Sequence, residues 1–299
     1  MSKMITQLID GYREKTWKAK LLKQIAAMSE EELDDLSQRG IYVIGHGRSG
    51  TTMLHDLVNL DANAVLLGES NLFLHFCRRR FVACFNEQHA RNDLLRSKSL
   101  FISNLDDSAS AMSVILELSK RWNRLGEKIA VHPAWEQRYY RRLVDFQTAM
   151  FFNSDYVLPV RDPREVVVSF MKLQPDLSRD QCIASYALSL RTTLEIYFQF
   201  PRCYLFPFPW LFDQDVVKRL LDVVNLDADI PEGMISHRNV KTKASNCPED
   251  VQPLVDVYNA IVEGVSQETF RIAEGSLYNC RDELARSLEE VASRYGEPA

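Results

Sequence analysis

Apolar residues recur along this chain in two rhythms. Between positions 4 and 38 they fall at helical spacing among Lys and Glu: Leu8, Ile9 and Tyr12 share one face, and Leu21, Leu22 and Ile25 a second. Ser29 followed by Glu30, Glu31 and Glu32 reads as an N-cap with an acidic first turn, where carboxylates meet the positive end of a helix dipole. Gly40 closes this region, and short apolar, β-branched runs then punctuate the chain at 41–44, 64–67, 128–131, 156–160 and 203–206. Each has the length and texture of a strand buried on both faces. Helical patterns separate and follow them over 52–60, 70–125, 135–152, 163–173, 179–199, 213–224, 249–264 and 281–294. Strands alternating with helices predict an α/β fold with a central parallel sheet flanked by helices. No repeat, low-complexity tract or long linker interrupts the pattern. The reading is therefore one domain over 1–299, with 1–39 as an N-terminal helical extension and 70–125 as a helical insert.

Composition narrows the function classes. With 46% hydrophobic and 26% charged residues among 299, the chain has the profile of a folded globular protein. A net charge of −5 argues against whole-protein attraction to nucleic acid or an anionic membrane, while leaving room for a local basic pocket. The N-terminus lacks the apolar core of a secretory signal, and no run approaches the roughly 18 apolar residues of a membrane span. A cytoplasmic location is the expectation. The six cysteines contain no C-x-x-C pair, which points to buried reduced thiols rather than a zinc knuckle or a disulfide framework.

The chemistry concentrates at Gly45-His46-Gly47-Arg48-Ser49-Gly50-Thr51-Thr52, between a strand and a helix. Glycines let a backbone turn tightly with its N–H groups inward, and the helix N-terminus adds positive potential. The hydroxyls of Ser49, Thr51 and Thr52 add donors. The pattern approaches the P-loop G-x-x-x-x-G-K-[ST], but Thr51 stands where the Lys belongs. That Lys reaches the β- and γ-phosphates of a nucleoside triphosphate, so its absence argues against an ordinary ATPase, GTPase or kinase. The cation has moved into the loop, to Arg48, a layout suited to a shorter anionic group at a 5′ position.

Residues 42–45 followed by Arg48-Ser49-Gly50-Thr51-Thr52 resemble the 5′-phosphosulfate loop of sulfotransferases that use 3′-phosphoadenosine 5′-phosphosulfate (PAPS) and release 3′-phosphoadenosine 5′-phosphate (PAP). That family has a second motif: a strand ending in Arg, then a helix with Ser eight positions on, both holding the 3′-phosphate. Here Val160 is followed by Arg161, Pro163 suits a first helical turn, and Ser169 stands eight positions after Arg161. The resemblance covers about residues 40–265 and implies a P-loop NTPase-like sulfotransferase fold.

It implies roles for further residues. Gly47, Arg48, Ser49, Gly50, Thr51 and Thr52 would bind the donor's 5′ end, and Arg161 and Ser169 its 3′-phosphate. Lys241-Thr242-Lys243 is similar to the loop that closes over that phosphate, though the family's Gly and Arg are missing. Glu69, after the second strand, stands where carbohydrate-type members carry a Glu base, with Ser70 replacing the usual Pro. His132-Pro133 resembles the catalytic His of cytosolic members. Arg48 would oppose charge on the leaving phosphate, and Glu69 or His132 would take the acceptor's proton; strand spacing favours Glu69. A carboxylate in that role calls for desolvation or a nearby like charge. The expected acceptor is a small molecule or carbohydrate, with no metal, no nucleic acid and no membrane span. The Arg- and Phe-rich stretch 70–125, with Arg78–Arg80, Arg91, Arg96, Arg121 and Arg124, reads as solvated helix faces or as an acceptor pocket. Two other functions remain open on the residues: a P-loop nucleotide kinase or NTPase, and a noncatalytic nucleotide-binding protein.

Overall fold

The structure is a computed structural model that describes residues 3–75, 98, 111–131, 137–235, 251–273 and 281–295. Two helices open the chain, α1 (Lys3–Ile25) and α2 (Glu30–Arg39). Ser29 caps α2 in a capping box: its hydroxyl accepts from the Glu32 N–H, and the Glu32 carboxylate accepts from the Ser29 N–H. The sheet is built from β1 (Gly40–His46), β2 (Ala64–Gly68), β3 (Arg124–Val131), β4 (Asp155–Val160) and β5 (Cys203–Pro207). Helix α3 (Thr51–Val58) follows β1, and α4 (Leu72–His75) and α5 (Ala111–Arg121) lie between β2 and β3. Helix α6 (Gln137–Met150) leads to β4, and α7 (Pro163–Leu173) and α8 (Arg179–Gln199) lead to β5. A 3-10 turn (Phe208–Phe212), α9 (Gln214–Val223), α10 (Gln252–Gly264) and α11 (Arg281–Tyr295) complete the described elements.

All strand pairs are parallel, in the order β2-β3-β1-β4-β5. β1 runs beside β3 from Gly40↔Leu125 to His46↔Val131 and beside β4 from Ile41↔Asp155 to Val43↔Val157. The chain leaves β1 for the edge at β2, returns through β3, and then crosses to β4. The order thus reverses at β1, and ligands of open α/β sheets bind outside the carboxyl ends of the strands at such a switch point.

Alternation along the strands fills both faces, as a strand's period of two requires. Tyr42, Ile44, Val65 and Leu67 enter a core with α6, α8 and α10. Ile41, Val43, Ala64 and Leu66 enter the other, with α3 and α9. Helix α8 packs across β1, β4 and β5 and is buried around most of its circumference, as a helix in the middle of a layer must be.

β3 departs from the sequence pattern by beginning at Arg124 rather than 128. Its middle carries Glu127 and Lys128, both buried, and charged residues break the apolar run that marks a strand. Cys182 and Cys203 are free and buried. Among the described residues no helix is long and apolar enough to cross a membrane.

Candidate active site

β1 ends at His46, opposite Val131 of β3, and the Gly47 N–H donates to the Val131 carbonyl at 2.9 Å. The chain then turns through left-handed backbone at Arg48 (φ 74°) and Gly50 (φ 91°). Gly50 is required twice over: by its φ, and because a Cβ there would lie 2.4 Å from Leu211 Cδ1. Arg48 carries the cost of a non-glycine residue in that region, about 1–2 kcal/mol. Helix α3 starts at Thr51, and Gly50 has no side chain with which to cap it. The Ser49 N–H is taken by the His46 carbonyl at 3.1 Å. The N–H groups of Arg48, Gly50, Thr51 and Thr52 find no acceptor among the described residues. The Ser49 hydroxyl is also buried without a partner. A buried hydroxyl left unpaired costs about 1–3 kcal/mol. A loop with these unmet donors at a helix N-terminus can hold an anion.

The second motif lies one strand away. Arg161 follows β4 and is 8% exposed. Its Nε donates to Glu165 Oε2 at 2.8 Å and its Nη1 to the Arg48 carbonyl at 2.8 Å. The guanidinium lies 3.9 Å from the centre of the Phe208 ring, a cation–π contact. Nη2 donates to no described residue. Asp162 caps α7 by accepting from the Arg164 N–H at 2.9 Å, with Pro163 in the first turn. Ser169 lies two turns into α7, and its hydroxyl accepts from Arg48 Nε at 3.0 Å. The two motifs, more than a hundred residues apart in sequence, therefore meet through Arg48. The exposed terminal nitrogens of Arg48 donate to no described residue.

Glu69 follows β2, two strands from the loop, or about 10 Å at the usual strand spacing. Its backbone is left-handed (φ 37°), and its carboxylate pairs with the buried Lys128 ammonium at 2.5 Å. The side chain is 52% exposed. The Glu69 carboxylate thus meets the Lys128 ammonium on one side and solvent on the other. Beneath it lies a residue that sequence reasoning missed. Glu127 is fully buried, and its two oxygens accept from the N–H groups of Asn71 and Leu72 at the start of α4. Burial pushes its carboxyl up to about 8, against the lowering effect of those two donors. In the sequence it stands one residue before the expected strand 128–131, where nothing singles it out.

His132, Lys241 and Lys243 lie outside the described residues, as do Arg78–Arg80, Arg91 and Arg96. Arg121 is exposed, with its guanidinium 5.1 Å from the Trp122 ring centre. Arg124 belongs neither to an acceptor pocket nor to a solvated face: it starts β3 at the opposite edge of the sheet and pairs with the buried Asp155. Among the described residues no group of three His, Cys, Asp or Glu could hold a metal ion.

The sulfotransferase domain of the Synechococcus PCC 7002 olefin synthase is 15% identical, with 83% of this chain and 94% of that domain covered and a TM-score of 0.49. The sulfotransferase domain of the curacin biosynthetic pathway is 16% identical, with 85% and 96% covered and a TM-score of 0.47. A sulfotransferase from Alicyclobacillus acidocaldarius is 14% identical, with 73% and 90% covered and a TM-score of 0.43. No curated protein sequence matches the chain. The sequence profile of the sulfotransferase family matches residues 40–206, more than half of the chain and almost all of the sheet, including the loop, Arg161 and Ser169. With that match, the chain belongs to the sulfotransferase family.

Proposed function

We propose that this sulfotransferase takes its sulfonate from PAPS and passes it in line to a hydroxyl or amine of a small-molecule or carbohydrate acceptor, in the cytoplasm and without a metal. One observation carries the reading: an anion loop with unmet donors is joined through Arg48 to a buried Arg161 that keeps one terminal nitrogen unused. A donor with anionic groups at both its 5′ and 3′ positions needs two such sites. A nucleoside triphosphate needs a Lys where Thr51 stands.

The fit assigns roles. The N–H groups of Arg48, Gly50, Thr51 and Thr52 and the hydroxyls of Ser49, Thr51 and Thr52 hold the 5′ end. Arg161 and Ser169 hold the 3′-phosphate, with Lys241 and Lys243 closing over it. Arg48, exposed beside the loop, opposes the charge that grows on the leaving phosphate. Sulfuryl transfer resembles phosphoryl transfer in having a loose, in-line transition state, so positioning and charge stabilisation supply most of the catalysis. Strand order supports a direction: Arg161 lies on the β4 side of the loop, and Glu69 on the β2 side. The acceptor therefore enters over β2 and β3, where Glu69, or failing it His132, takes its proton.

The test is PAP release from PAPS by the purified chain, against a panel of sugars, phenols, aliphatic alcohols and amines. Release that depends on one acceptor class is the expected result. Phosphoryl transfer from ATP-Mg²⁺ instead would contradict the proposal. Replacing Glu69 and His132 separately by Ala identifies the base, and activity that survives both changes excludes each of them.

A further inference from the structure

We infer that helix α8 braces both halves of the donor site through two consecutive residues, Ser185 and Tyr186, with His46 relaying Ser185 to the 5′ loop. These are positioning residues that orient peptide groups and do not touch the donor. The inference rests on the donor-site reading above.

His46 is 2% exposed. Its Nδ1 lies 2.7 Å from the Gly47 carbonyl oxygen. A carbonyl oxygen can only accept, so Nδ1 carries the hydrogen. In the neutral ring Nε2 then accepts, and the Ser185 hydroxyl 3.2 Å away donates to it. The rings of Phe170 and Tyr186 meet the imidazole edge-on at 5.2 and 5.3 Å and hold its plane.

The consequence lies in the peptide group itself. The Gly47 carbonyl and the Arg48 N–H belong to one planar unit and point in opposite directions. With no Cβ on Gly47 and Arg48 already at positive φ, that unit has little local resistance to rotation. A flip would present a carbonyl to the anion in place of a donor. By holding the carbonyl, His46 commits the Arg48 N–H to the other side, where the loop gathers its donors.

The neighbouring residue does the same for the second motif. The Tyr186 hydroxyl donates to the Arg161 carbonyl and fixes the end of β4 from which the Arg161 side chain departs. Burial raises the Tyr186 hydroxyl's pKa well above its ordinary value, so it stays protonated and able to donate. The support behind both is stiff: α8 has a capping box at Ser178 and Gln181 and is packed on three strands.

The two arms separate experimentally, because adenosine 3′-monophosphate carries the 3′-phosphate and lacks the 5′ one. Calorimetric titration of the full chain with PAP and with adenosine 3′-monophosphate reads them. His46→Phe keeps the buried ring and loses the donor. It should weaken PAP by about 3–10-fold, the usual worth of one hydrogen bond, and leave the monophosphate unchanged. His46→Asn places an amide N–H near the position of Nδ1 and should restore most of the PAP affinity. Tyr186→Phe should weaken both ligands by a similar factor. Should His46→Phe fail to fold, Ser185→Ala takes its place, with a smaller loss confined to PAP. Wild-type affinity for PAP in His46→Phe, or an equal loss for both ligands, overturns the inference. Wild-type protein that binds neither nucleotide overturns the donor-site reading itself, which is a different result.

Discussion

Ser49 offers the sharpest test at the level of single residues. Its hydroxyl is buried and unpaired, so in the ligand-free protein it is a cost rather than a contact. Ser49→Ala should therefore leave the ligand-free unfolding temperature unchanged or slightly raised, and should weaken PAP by roughly 5–10-fold. A destabilised variant with unchanged affinity would mean that the hydroxyl has a structural partner instead. Arg161 and Arg48 divide differently. Arg161→Ala removes a charge-assisted contact from a buried site and should weaken PAP by about 10–100-fold. In the proposed mechanism Arg48 meets its largest charge only in the transition state, so Arg48→Ala should lower kcat more than it raises KM. A change in KM alone would contradict that role.

Among the elements, β3 shows how much of the site the sequence carried. The loop and the Arg161–Ser169 pair were legible because each is a local pattern: residues at fixed spacing at the junction of a strand and a helix. The five strands were legible because buried parallel strands read as apolar runs. β3 was legible only in its second half, since Arg124, Gly126 and Glu127 leave no apolar run before Lys128, and the partners of Glu127 and Lys128 lie 55–59 residues away. The His46–Ser185 contact spans 139 residues, and no spacing rule could have indicated it.

Glu127 also makes a pH prediction. A carboxyl raised in the fold from the ordinary 4.5 to about 8 contributes stability while protonated and loses it as it ionises. Wild-type protein should therefore lose stability relative to Glu127→Gln as pH rises from about 5 to about 8. Thermal unfolding of both proteins across that range reads the difference. A difference that stays constant with pH would show that Glu127 does not titrate there.

For the whole molecule, the two edges of the sheet have separate duties. The carboxyl edge gathers the unmet donors. The amino edge buries Asp155, which accepts from Arg124, Arg202 and the Tyr204 hydroxyl. Arg124 reaches on from there to the carbonyls of Arg39, Gly40 and Val224, tying β1, β3 and β4 to the turn after α9. Asp155→Ala would strand two arginines at a buried site and should cost about 3–5 kcal/mol, seen as a lower urea midpoint, with PAP affinity unchanged. A loss of affinity in the folded variant would mean that the two edges are coupled.

In the proposed function this sulfotransferase holds a nucleotide by two phosphates, one at the loop and one at Arg161. Thermal unfolding with PAP beside ADP and ATP-Mg²⁺ tests it most directly. A ligand at about 100 times its Kd adds roughly 2.7 kcal/mol to stability, a plainly visible shift. PAP should stabilise the protein, and ADP and ATP-Mg²⁺ should do so far less. Stabilisation by ATP-Mg²⁺ with none by PAP would contradict it.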